Sequence, residues 1–169
     1  GKTIVKEFLY QLLRNEFNIV RSPRSYNSQL GVPLSVWAMN EKHTLGIFEA
    51  GISQPDEMDN LQPIIAPTIG VITSIGEAHQ ENFVSMNQKC LEKLSLFSEC
   101  EAIIYDGDNM LVANAIEASC LSHKAIIWSR TDTDAPLYIE SIEKHKTETV
   151  IRCTQLGFDR VYVIPFTDD

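Results

Sequence analysis

The chain has 169 residues, 44% of them hydrophobic, and 14 Lys and Arg against 23 Asp and Glu give a formal net charge of −9. That size and composition fit one globular domain, at most with a small subdomain, and the acidic balance argues against nucleic acid or an anionic membrane surface as a partner. No run approaches the about 20 apolar residues of a membrane span, and nothing at the start resembles a signal peptide.

The chain opens on Gly1-Lys2-Thr3, the second half of the phosphate-binding pattern G-x-x-x-x-G-K-[ST]. In that pattern backbone N–H groups cradle phosphates, the Lys reaches the outer phosphates and the hydroxyl ligates Mg²⁺. The first half is absent, and the tripeptide by itself is better explained as a helix start with an exposed Lys. Residues 3–15 are predicted as a helix, with Val5, Phe8, Leu9, Leu12 and Leu13 on one face and Lys6, Gln11 and Arg14 on the other. The Pro, Ser, Asn and Gly content of 21–33 marks a loop, and 34–39 a short helix.

An alternation follows. Strands are expected over 44–49, 68–72 (buried), 102–105 and 125–128, with helices over 57–65, 85–97 and 110–118 between them. Strands alternating with helices mean a mostly parallel α/β sheet, here of the three-layer phosphate-loop type with helices on both faces. From Pro136 the pattern changes to three strands, 137–143, 147–153 and 160–164, expected as a C-terminal antiparallel β meander extending the sheet.

Ligands of such sheets bind at the C-terminal ends of the strands, which directs attention to the residues after Glu49, Ile72 and Tyr105. Glu49 closes an apolar strand where a carboxylate can hold Mg²⁺; a surface Glu at a strand end explains it equally well. His79 follows the next strand in a loop and would lie near Glu49 if the two strands are neighbours, and Glu with a neutral imidazole suits a divalent metal. Lys93, flanked by Cys90 and Phe97 at i−3 and i+4, could fall on the inward half of its helix; an exposed lysine is the default reading, and with Lys89 in the same helix the spacing alone does not pick Lys93 out. In the 21–33 loop, Arg24 could pair with a phosphate, beside Tyr26 and Asn27. Asp106-Gly107-Asp108-Asn109 is either a turn and helix cap or part of a nucleotide pocket. Cys90, Cys100, Cys120 and Cys153 form no C-x-x-C pair and read as buried apolar residues in a reducing, cytoplasmic setting.

Taken in order, Gly1-Lys2-Thr3, Asn27 with Gly31-Val32-Pro33, Glu49-Ala50-Gly51, Pro67 with Val71-Ile72-Thr73, Ala78-His79-Gln80-Glu81-Asn82-Phe83, and Lys93 resemble the central ATP-binding domain of the Mur ligases, which attach amino acids to the growing peptidoglycan precursor. The resemblance spans nearly the whole chain. It implies that residues 1–169 are that domain truncated at both ends, without the first half of the phosphate loop and without the N- and C-terminal ligase domains. Further details, Lys6-Glu7, Leu34 after Pro33 and Glu57-Met58 with Leu61, are similar to members that join D-alanyl-D-alanine to UDP-MurNAc-tripeptide, some of which are fused to an alanine racemase.

The resemblance also implies roles. Gly1, Lys2, Thr3 and Asn109 (or Asp108) would contact ATP. Thr3 and Glu49 would hold one Mg²⁺; His79 and a carbamylated Lys93 would hold a second. Asn27, with Arg24, would line the cleft for the uridine-nucleotide substrate. Lys2, Lys93 and His79 would serve the chemistry, an acyl phosphate formed from ATP and then captured by an amine. The chain on its own is expected to hold ATP poorly and to be inactive. Two other readings stand beside this one: a folate-polyglutamate-type synthetase of related fold, and a non-catalytic interaction module. The second would account for Ser74 where relatives often carry Asn, Val84 where Gly is usual, and Leu94-Ser95 after Lys93.

Overall fold

The computed structural model describes residues 1–76 and 78–165. Its elements in chain order are α1 (Lys2–Leu13), β1 (Ile19–Arg21), α2 (Gly31–Trp37), β2 (Leu45–Ile47), α3 (Glu57–Ile65), β3 (Ile69–Val71), α4 (Met86–Ser95), β4 (Ala102–Asp106), α5 (Met110–Ala118), β5 (Ala125–Ser129), β6 (Leu137–Lys144), β7 (Thr149–Gln155) and β8 (Phe158–Ile164). β1 and β2 form a parallel pair, and β3 to β8 form a six-stranded sheet in sequence order. The pairs from β3 to β6 are parallel, and β6–β7 and β7–β8 are antiparallel. The expected mostly parallel α/β fold with a C-terminal meander is what the chain forms.

Two hydrophobic clusters hold it. Ile72, Ile103 and Tyr105 pack beneath Cys90 and Leu94 of α4 and Val112, Ala115 and Ile116 of α5. Val32, Met58, Leu61 and Leu96 join α2, α3 and the end of α4, with Ile52 and Phe83 from the flanking loops. Phe97 touches both clusters, so the two run into each other at the end of α4. α4 starts where Ser85 accepts a hydrogen bond from Gln88 N at 3.1 Å, a side-chain N-cap.

Three expectations need correction. The 21–33 segment is not wholly loop: Arg21 ends β1, and α2 begins at Gly31 rather than at Leu34. Pro33 fits there because the first turn of a helix has no internal partner for its N–H groups. The strand expected over 68–72 is not buried throughout. β3 is an edge strand in which Gly70 is buried while Ile69 and Val71 are exposed. Finally, β2 pairs with β1, and among the described residues no ladder joins it to β3. The meander closes tightly, since Leu156 and Gly157 both have positive φ (51° and 80°) between paired Gln155 and Phe158, the backbone of a two-residue hairpin that favours Gly. Among the described residues no helix is long and apolar enough to cross a membrane.

Leu61 is fully buried at the α2–α3–α4 junction. Leu61→Ala is expected to cost about 2–5 kcal/mol of folding free energy, read as a lowered urea midpoint at unchanged slope. A loss below about 1 kcal/mol would mean the junction is not packed as described.

Candidate functional site

The site starts with a lysine in an unexpected place. Lys6 belongs to the buried side of α1 and not to its polar face; it is the buried residue of that helix, 3% exposed. Its ammonium donates to the backbone oxygens of Ser22 (2.7 Å) and Arg24, and it lies 3.4 Å from Glu7 and 4.0 Å from Glu49 Oε2. These acceptors offset the cost of burying a charge. Burial lowers the Lys6 pKa, and Glu49 opposes that. The lysine thereby ties the start of α1 to the end of β1, where Arg24 has φ 49°.

Glu49 is buried two residues beyond β2. Its Oε1 accepts from Asn27 Nδ2 at 2.8 Å, and its backbone N–H donates to Ser22 Oγ at 3.2 Å. Its Oε2 is buried with no hydrogen-bond partner. Gly51 follows: its N–H donates to Asn27 O at 2.7 Å, and a Cβ at this position would meet Asn27 at 3.1–3.2 Å. The loop after β2 and the segment around Asn27 are therefore held backbone to backbone, and a larger residue at 51 would have to push Asn27 back by a few tenths of an ångström.

Beyond Asn27 opens a cleft of about 330 Å³, lined by Lys2, Asn27, Ser28, Gly51–Ser53, Glu57, Ser74, Gly76, Ala78, His79, Lys89 and Lys93. A smaller cavity of about 50 Å³ shares Lys2, Ile52, Ser74 and Lys93 with it and extends under Phe97. Three lysines thus face one space. Among the described residues the lining carboxylate is Glu57, and it already accepts from Ser53 N and Gln54 N. The crowding registers on Lys93, whose pKa falls from 10.5 to about 8 because of burial, then the charges of Lys2 and Lys89. Burial also pushes the Cys90 thiol next to it up to about 11, so that thiol stays protonated near neutral pH.

Of the residues singled out in the sequence, the structure brings Lys2, Asn27, His79 and Lys93 to this cleft. Glu49 stands behind Asn27 rather than in the lining, and Thr3 is half-buried in the first turn of α1. His79 is exposed, with φ 60°, at the head of a short 3₁₀ turn that Asn82 fastens to Ser53 O at 2.9 Å. Because β2 and β3 are not paired, Glu49 and His79 do not meet as strand-end neighbours. Arg24 is exposed and contributes its carbonyl to Lys6.

The loop after Tyr105 lies away from the cleft. Asn109 caps α5 by accepting from Val112 N, and Asp108 accepts from Ser129 Oγ, Thr131 Oγ1 and Arg130 N at 2.5–2.8 Å. Those bonds hold the Asp108 carboxyl below its usual range and tie this loop to the end of β5. Sequence reasoning missed Lys6 and Lys89. For Lys6 a signal existed, since Lys6, Leu9 and Leu13 fall at i, i+3 and i+7 of one helix. For Lys89 none did.

Two features of the site, a buried carboxylate oxygen without a hydrogen bond, 4.0 Å from the Lys6 ammonium, and three lysines against one carboxylate among the described lining residues, suit a divalent cation and a polyanion respectively.

Residues 1–164 match the family model described as the Mur ligase middle domain. The chain is 28% identical over 168 residues to the UDP-N-acetylmuramoyl-tripeptide–D-alanyl-D-alanine ligase of Bacillus subtilis, covering 98% of this chain and 35% of that protein. Among solved structures it resembles MurF from Acinetobacter baumannii (TM-score 0.84, 22% identity, 99% of this chain and 37% of that one). It also resembles the MurF ligase of Thermotoga maritima in complex with ADP (TM-score 0.78, 20% identity, 96% and 38%). The chain spans about a third of the length of these proteins.

The Lys93 shift predicts a pH dependence. Below pH 8 the residue is charged both folded and unfolded, and folding carries the cost of burial and repulsion. Between about 8 and 10.5 the folded state has lost the proton while the unfolded state keeps it, so stability rises with pH. In buffer purged of CO₂, Lys93→Met should therefore melt higher than the parent at pH 7, with the advantage shrinking as pH rises towards 10. A pH-independent difference would contradict the placement of Lys93.

Proposed function

The chain belongs to the Mur ligase family through its middle domain, and from that premise we propose that it is the ATP-binding centre of an amide-forming ligase that adds D-alanyl-D-alanine to UDP-MurNAc-tripeptide. The main support is the cleft that gathers Lys2, Lys89 and Lys93, with no uncommitted carboxylate among its described lining residues. A triphosphate supplies the counter-charge such a space requires. The relative in Bacillus subtilis, matched over 98% of this chain, favours the Mur reading over the folate-type synthetase.

On this reading Lys2, at the N-terminus of α1, neutralises charge on the outer phosphates, helped by the free N–H groups of the helix start. Asn27 sits at the cleft wall with its amide pinned by Glu49, a rigid donor for the uridine-nucleotide substrate. Thr3 and Glu49 would hold one Mg²⁺, Glu49 offering the Oε2 that has no hydrogen bond; His79 and a carbamylated Lys93 would hold the other. When bound, Mg²⁺ supplies neutralisation of phosphate charge. Lys93 is suited to the modification because a pKa of about 8 leaves a good fraction of neutral amine near that pH. The amine nitrogen attacks CO₂ and loses a proton, which turns a cation into an anion. In the ligase reaction a carboxylate oxygen of the tripeptide attacks the γ-phosphorus and ADP leaves with the broken P–O bond. The amine of D-alanyl-D-alanine then attacks the acyl carbon, phosphate departs, and the nitrogen loses its proton to give the amide. Positioning and charge neutralisation are the protein's contribution.

N- and C-terminal ligase domains complete the enzyme on this reading, and its setting is the cytoplasm, where UDP-linked precursors and ATP meet. A fused alanine racemase is checked by the length of the natural polypeptide.

The longest natural polypeptide carrying this chain, given ATP, Mg²⁺, bicarbonate and UDP-MurNAc-tripeptide, should release phosphate when D-alanyl-D-alanine is added. Lys2→Ala should lower kcat by roughly 100-fold or more, and Lys93→Ala should abolish turnover. Phosphate release that follows a folate acceptor instead, or none with any acceptor, would overturn the proposal in favour of the folate-type enzyme or the non-catalytic module.

A further inference from the structure

Lys89 is the largest of the fully buried side chains, 2% exposed, and nothing in the reading above uses it except as charge. Its ammonium donates to Gly76 O at 2.7 Å and to Ala78 O, and stands 5.6 Å from the centroid of the Phe83 ring. The two carbonyls flank the approach to His79, which holds the left-handed φ of 60°. The ladder hydrogen bonds of β3 stop at Ile72 N–H donating to Ile104 O. Among the described residues, no other hydrogen bond fastens residues 73–76 or Ala78 to the rest of the fold. The anchor end is firm, because α4 is capped by Ser85 and packed through Cys90 and Leu94.

We propose that Lys89 is a positioning residue, a two-point staple from α4 that fixes the backbone at Gly76 and at Ala78 and so aims His79 into the cleft beside Lys93. The proposal rests on the reading of His79 as a metal ligand. Lys89 reaches the loop and not the metal; it acts by denying the His79 backbone the freedom that its strained φ would otherwise release. A buried lysine is an expensive way to hold a loop, and the two carbonyl acceptors offset that cost.

Two measurements test this. Amide hydrogen exchange on the chain itself should quicken at residues 76–79 in Lys89→Met and stay near parental values in Lys89→Arg, which can still donate to both carbonyls. Mn²⁺ affinity in the presence of ADP, measured on the longest natural polypeptide by electron paramagnetic resonance, should fall roughly 10-fold in Lys89→Met, as it does when residues that orient metal ligands are removed. The fall should be no larger in the double variant Lys89→Met/His79→Ala than in His79→Ala alone. If His79→Ala leaves Mn²⁺ affinity unchanged, the ligand reading fails. If His79→Ala weakens binding while Lys89→Met changes neither exchange nor affinity, the staple is wrong. Should Lys89→Met not fold, Lys89→Gln, a single-amide donor of intermediate reach, serves the same comparison.

Discussion

Like charges forced together in a partly enclosed space set the terms for this structure. Lys2 from the start of α1, and Lys89 and Lys93 from α4, face one cleft in a chain whose overall charge is −9. Surface lysines on an acidic protein would normally sit beside carboxylates. Here the carboxylate of the described lining, Glu57, is bound to the backbone of Ser53 and Gln54, and burial, with the charges of Lys2 and Lys89 behind it, lowers the Lys93 pKa to about 8. Such an arrangement costs stability without an anion and becomes favourable with one, as expected of a site built for a ligand rather than for the fold.

The walls of the cleft are held by buried polar contacts of one kind. On one side Lys6 donates to two carbonyls two residues apart, Ser22 and Arg24; on the other Lys89 does the same with Gly76 and Ala78. Each pair adjoins a non-glycine residue with positive φ, Arg24 and His79. An ammonium has three donors and a long stem, so it can satisfy carbonyls that turn away from a strand end and cannot pair with a neighbour. The Asn27–Glu49 bond and the Asn27–Gly51 backbone contact fix the part of the lining around Asn27. Glu49 is left with one buried oxygen that has no hydrogen bond and faces the Lys6 ammonium at 4.0 Å.

Much of the fold was legible in the sequence because it follows from local pattern. α3 and α5 fall at the expected residues, and the three strands of the meander agree to within a few positions. β1 escaped notice because three residues carry no periodicity, and β3 looked buried because an apolar run does not reveal which of its faces is covered. In the site, Lys2, Asn27, His79 and Lys93 were legible from motif and order. Lys89 was not, and Lys6 only through its place on the face of Leu9 and Leu13, since lysine is ordinarily a surface residue and its burial depends on carbonyls contributed from loops 16 and 13 residues away. Asn109 and Asp108, expected either as a turn and helix cap or as part of a nucleotide pocket, cap α5 and tie the end of β5.

The central claim is that this lysine cleft is where a nucleotide's phosphates lie. The direct measurement is a crystal structure of the longest natural polypeptide carrying the chain, with Mg²⁺ and a non-hydrolysable ATP analogue. The account predicts the outer phosphates within hydrogen-bond distance of Lys2 and a Mg²⁺ reached by Glu49. A nucleotide seated elsewhere, with the cleft between Asn27 and Lys93 filled by solvent alone, would contradict it.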